Sequence, residues 1–136
     1  MKSIWNWFRA GRAPTSPLKG APAHARTKTF SAETGYVYQY VFRGYRSLRD
    51  LAGTEFIFEA SRDRTERFEV TVQLLDSALA GCAERIAREI LSKERYALAK
   101  MTLFRAFDEL EPGNLTGVLV PDANQMEAHL RTLGRI

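Results

Sequence analysis

Residues 54–74 read TEFIFEASRDRTERFEVTVQL. Two runs in it alternate strictly. Phe56 and Phe58 interleave with Glu55 and Glu59, and Phe68, Val70, Val72 and Leu74 interleave with Glu69, Thr71 and Gln73. A period of two is the signature of a strand with one wet and one buried face, and the Phe and Val content suits it. Between the runs lies SRDRT, polar and short, so the pair reads as a β-hairpin. Such a sheet needs something to cover its apolar face.

Working outward, residues 36–43, YVYQYVFR, repeat the alternation with Tyr36, Tyr38, Tyr40 and Phe42, which predicts a further strand before the hairpin. After it the period changes to that of a helix. Asp76 or Ser77 is a start signal, and Leu79, Cys82 or Ala83, Ile86 and Ile90 mark a stripe. Ser92 caps a second helix, with Leu91 and Tyr96 at the spacing of a hydrophobic staple. Its stripe, Leu103, Phe104 and Phe107, is widened by Leu98 and Met101 until Pro112-Gly113 stops it. A short strand is expected at Leu115–Val120. Asp122 with Gln125 then forms a capping-box pattern before a helix whose stripe is Met126, Leu130 and Leu133. The expected fold is α+β: a three-stranded antiparallel meander covered by two to three helices, in the order β-β-β-α-α-β-α, with a flexible basic N-terminal tail. The expected divisions are an amphipathic segment at 1–12, a Pro/Ala-rich linker at 13–29 and a single α+β domain at 30–136.

Composition removes several classes of function. The 136 residues hold one cysteine, Cys82, so neither an intrachain disulfide nor a Cys-rich zinc site can form. No apolar run approaches the roughly 18 residues of a membrane span. There is no Gly-rich phosphate loop, HExxH, nucleophile elbow or CxxC, so no cofactor and no metal is expected. The thiol usage reads as an intracellular, reducing compartment.

Charge is divided unevenly. The net charge is +4, but residues 1–32 carry six basic side chains and no acid, whereas the rest holds 14 basic and 16 acidic residues. The basicity is therefore a property of the tail, which points to an anionic contact there and away from a basic nucleic-acid-binding face on the body. Within the tail, Ile4, Trp5, Trp7 and Phe8 fall on one helical arc, with Arg9 and Arg12 among the cations nearby. An aromatic, basic amphipathic segment suits a partner's groove or an anionic membrane surface. It equally suits packing on its own body, or an acid-free transit peptide, which would place the mature protein in an organellar matrix.

In the body, the connection Arg43–Gly53, RGYRSLRDLAG, stands out for its length. It brings Arg43, Arg46 and Arg49 at three-residue spacing beside Tyr45. A helical turn here stacks the guanidiniums into an anion-binding site. A second arginine group, Arg62, Arg64 and Arg67, sits in the next turn. A strand of about seven residues sets the two connections roughly 23 Å apart, so the groups are not expected to merge. His24 falls in the linker and His129 at the edge of the last helix's stripe, a surface or half-buried place. Cys82 reads as a core thiol. Asp108, Glu109 and Glu111 read as solvated helix-end charge, and the tyrosine stripe as core floor rather than a base-stacking platform.

The function expected on these grounds is a non-catalytic accessory or adaptor domain docking on a larger protein complex, with Ile4, Trp5, Trp7, Phe8, Arg9 and Arg12 as its partner contacts. A nucleic-acid- or ribosome-associated protein is the alternative. Both tryptophans lie in the tail, so intrinsic Trp emission reports on it alone. Emission of the isolated chain is expected at solvent-exposed wavelengths, moving to the blue when partner or anionic vesicles are added. Blue-shifted emission in the isolated chain would assign the tail to its own body.

Overall fold

A computed structural model describes residues 17–115 and 117–136. Five strands form one sheet in the order β1-β2-β3-β4-β5: β1 Lys28–Ser31, β2 Val37–Ser47, β3 Gly53–Arg62, β4 Arg67–Leu75 and β5 Gly117–Leu119. The first four are antiparallel neighbours, and β5 lies parallel to β4. Helices α1 (Asp76–Ile86), α2 (Ser92–Glu109) and α3 (Ala123–Thr132) complete the domain.

The α+β class holds, but the meander has four strands rather than three. The extra one, β1, begins at Lys28, two residues before the boundary expected from composition, and pairs Phe30 with Tyr38. Lys19, also in the Pro/Ala-rich stretch, forms a two-bond bridge with Tyr45, each N–H donating to the other's carbonyl at 2.8 Å. The expected hairpin β3–β4 forms, with Phe58 against Val70 and Phe56 against Val72. Its turn places Asp63 and Arg64 at φ +51° and +62°, where non-glycine residues are uncommon.

α2 lies over the aromatic strip of β2. The Tyr38 and Phe107 rings stack 4.2 Å apart, Tyr40 meets Phe104 edge-on at 5.5 Å, and Phe42 meets Tyr96 at 4.8 Å. Tyr38 and Phe107 are both 0% exposed. α1 adds Leu79 and Cys82 to the same core, and α3 adds Met126 and Leu130. The tyrosines are thus the floor of the core. Cys82 is a buried free thiol whose pKa is raised, first by burial.

α1 ends four residues short of Ile90, the last residue expected on its stripe. Ala87 adopts φ +61°, its N–H bonding back to Ala83 and Glu84, and Arg88 N–H reaches Ala83 O at 3.1 Å. This left-handed close normally takes glycine, so it leaves no trace in composition. The Asp122–Gln125 capping box forms with both bonds at 2.8 Å. His129 is buried on α3 rather than at its surface, and its pKa is lowered, first by burial. Among the described residues no helix is long and apolar enough to cross a membrane.

Phe107→Ala removes the ring that α2 stacks on the sheet and is expected to cost about 3–5 kcal/mol. Tyr38→Phe is expected to cost nothing, because the buried Tyr38 hydroxyl has no hydrogen-bond partner to lose. Chemical denaturation of the two variants beside the wild type checks both.

Candidate functional site

A β-bulge decides which side chains reach a site. Between Phe42 and Gly44 the β2–β3 register slips by one residue. Gly44 sits at φ +125°, and a Cβ there would lie 2.6 Å from the Lys19 carbonyl oxygen. Glycine is required on both counts. The slip reverses the facing of everything after it. Tyr45 turns inward opposite Phe56, and Arg46 turns to the open face opposite Glu55. The helical turn expected over Arg43–Arg49 is therefore strand as far as Ser47, with only residues 48–52 as the connection.

The expected anion-binding residues are accordingly dispersed. Arg43 pairs with Glu59 on the open face. Arg46 Nε bonds the buried carboxylate of Glu55 at 2.7 Å. Arg49 is exposed in the connection, and Tyr45 alone faces the helices. The two arginine groups expected to stay apart touch through one member each, Arg67 Nη1 approaching Glu59 at 3.7 Å beside Arg43. Ile4, Trp5, Trp7, Phe8, Arg9 and Arg12 lie outside the described residues.

Where Tyr45 points, a cavity of about 330 Å³ opens between the end of the sheet and the start of α2. Phe42, Tyr45, Phe56 and Tyr96 wall it, Thr54 and Ser92 add hydroxyls, and Arg95 adds a guanidinium. Tyr45 keeps 38% of its surface exposed, with its ring 5.7 Å from Phe56. The Nε of Arg95 is buried and has no hydrogen-bond partner, one of only two such side-chain atoms among the described residues. Buried polar atoms are nearly always satisfied, so this one invites an explanation. Nearby on α2, Lys100 lies 5.7 Å over the Tyr96 ring and 5.9 Å over Phe104. Its pKa is lowered by burial and then by Lys28. No acid pairs with Lys100, Lys28 or Arg95 among the described residues, so this edge is cationic and aromatic at once.

The start of α2 is held by an acid that sequence reading passed over. Glu94 is 2% exposed and accepts four bonds: two from the Arg88 guanidinium, one from Arg135 Nε and one from the Leu91 N–H, all at 2.9 Å. The cluster ties the end of α1, the start of α2 and the residues after α3 to one carboxylate. Leu91, not the expected Ser92, is the N-cap, so the Glu three residues after it supplies half of a capping box. With Glu94 fixed, Arg95 is delivered to the pocket on the next position of the helix. Asp108, at the other end of α2, accepts the Glu33 N–H at 2.9 Å and so anchors the β1–β2 turn. Among the described residues no group of three His, Cys, Asp or Glu side chains converges to hold a metal.

The Arg88 bond, with help from Leu91 N–H and Arg135, holds the Glu94 carboxyl at about 2, against burial that opposes it. A depressed folded-state pKa stabilises above the unfolded value near 4.5 and fades as pH falls towards 2. The contribution at neutral pH is about 3 kcal/mol. Melting curves should show wild type well above Glu94→Gln at pH 7, with the gap closing between pH 4.5 and 2. A gap that stays constant with pH would show that folding does not depress the Glu94 pKa.

No protein-family model matches the chain, and no curated protein or solved structure matches it either.

Proposed function

We propose that this chain is a non-catalytic docking domain of a larger protein assembly, and that the pocket at the start of α2 receives a carboxylate-bearing element of the partner. The observation that carries this reading is the buried, unpartnered Nε of Arg95 in an aromatic-walled cavity. A guanidinium satisfied by a partner's carboxylate makes a strong, directional contact, and flanking aromatic rings exclude water from it. Lys28 and Lys100 extend the same cationic edge. The acid-free first 32 residues provide a second contact, to a groove on the partner or an anionic membrane surface. An intracellular compartment goes with this reading. A nucleic-acid-associated role draws on that basic tail, and binding there falls steeply with salt and is indifferent to Arg95.

Arg95→Leu in the full-length chain is expected to reduce partner recovery from its own cells at least tenfold, the loss of a charge-assisted bond. Arg131→Gln, a surface control, is expected to leave recovery unchanged, and both variants should melt near wild type. Equal recovery with Arg95→Leu would sink the pocket's role. Recovery that collapses with salt in both variants and depends on nuclease treatment would move the protein to the nucleic-acid class.

A further inference from the structure

The sheet face opposite the helices carries a second concavity, of about 550 Å³. It is polar in character. Arg43, Arg64 and Arg67 reach it from the β2 bulge, the β3–β4 turn and the start of β4, with Ser61, Thr65 and Gln39 between them. Glu59 stands among the guanidiniums and takes both Arg43 and Arg67. Glu69, its register partner on β4, shares the face. Three guanidiniums thus meet two carboxylates, an excess of one positive charge.

The excess cation is Arg64, whose side chain has no acid partner among the described residues. Its placement is costly: φ +62° is a conformation a long side chain rarely adopts. The turn is nonetheless fastened. Asp63 N–H donates to Val37 O at 2.7 Å, and Arg64 N–H donates to Gln39 Oε1 at 2.9 Å. Gln39 Oε1 also accepts from Ser61 Oγ at 3.3 Å. A strained backbone over-determined by its neighbours, presenting an unengaged guanidinium to a cavity, is the pattern of a functional position. Arg67 adds adaptability: its side chain is 74% exposed and stands 3.7 Å from Glu59, a loose contact that a better anion can replace.

We propose that this groove binds a phosphate monoester, with Arg64, Arg67 and Arg43 as its cations and Glu59 as an internal carboxylate that the phosphate displaces. Guanidinium forks match phosphate geometry. Hydroxyls from Thr27 and Thr29 along the groove supply the further donors that a phosphate's extra oxygen accepts, beyond the two of a carboxylate. The volume exceeds what a bare phosphate fills, leaving room for a sugar or nucleoside body. The Glu59 carboxyl is held below its ordinary pKa, first by its bond to Arg43, consistent with an anion already seated in the site. The groove lies across the sheet from the Arg95 pocket and shares no residue with it, so either site can fail alone.

The test is amide-shift titration of the full chain in chloride buffer, with inorganic phosphate, glucose 6-phosphate and adenosine monophosphate as probes. Saturable shifts confined to the β3–β4 turn and the Gln39 region of β2 are expected, tighter for an ester than for phosphate alone. Arg64→Asn, which tolerates the left-handed turn, and Arg67→Gln should each weaken binding about tenfold. Glu59→Gln should tighten it severalfold, because the competing carboxylate is gone. Absence of a saturable shift with all three probes overturns the proposal. So does binding unmoved by Arg64→Asn and Arg67→Gln, or weakened by Glu59→Gln. Free phosphate matching both esters would remove the sugar-sized body from it.

Discussion

The stacking of Tyr38 on Phe107 sets where α2 lies, and most of the molecule follows from that. Once those rings are face to face, the helix runs back along β2 in step with it, Phe104 meeting Tyr40 and Tyr96 meeting Phe42. Four strand residues span about 13 Å and eleven helix residues about 16 Å, so the two elements stay in register along the strip. The first turn of α2 must then hang over the far end of the sheet. There the Glu94 cluster gathers Arg88 and Arg135 and Arg95 faces the cavity. A pocket at this place is a consequence of packing at the opposite end of the helix.

The second constraint is the bulge in β2. A regular strand would carry Arg46 into the core side and Tyr45 out to the open face. The extra residue exchanges them, and Gly44 makes the exchange possible where the chain at Lys19 passes against it. Arg46 thereby gains the buried Glu55 as partner, which no loop conformation would have offered. On the open face Arg43, Arg46 and Arg67 find Glu59 and Glu55, whereas Arg95, Lys100 and Lys28 beside the pocket have no acid partner among the described residues. The bulge thus decides the fate of one charge, that of Arg46.

Much of this was readable in advance, for physical reasons that name their own limits. Strict alternation at Phe56–Glu59 and Phe68–Leu74 identified the hairpin. The wide stripe Leu98–Phe107 identified α2 as the central helix, and Asp122–Gln125 identified the start of α3. β1 was missed because its four residues, straddling the end of the Pro/Ala-rich stretch, have too little periodicity to register, and edge pairing with β2 organises them. The end of α1 was missed because Ala87 stands where glycine normally signals the close. The candidate site was the least legible part. Arg43, Arg46 and Arg49 at three-residue spacing resemble a helical face, and only knowledge of the bulge shows that one meets Glu59, another Glu55, and the third stays in the connection. Arg95 gave no sequence signal at all. It is one cation among many on α2, distinguished solely by a burial that tertiary packing creates.

Of the two concavities, the pocket at Tyr45 depends on this irregularity, while the open-face groove lies on the strand before the slip. At Phe42–Tyr45 the strand presents an aromatic ring to the helix side and a guanidinium to the open side within three residues. A regular strand does this only by alternation, and then at the cost of sending Arg46 inward against Phe56 and Phe58. Burying an arginine among phenylalanines without a partner costs several kcal/mol, so the arginine-rich sequence after Phe42 is compatible with this core only if the register slips. Gly44 is where it slips, and the Lys19–Tyr45 bridge closes over it. The basic segment before β1 is thus joined to the body at the same point that separates the two faces. The described chain begins close to Tyr45 and the Arg95 pocket, held there by the Lys19–Tyr45 bridge.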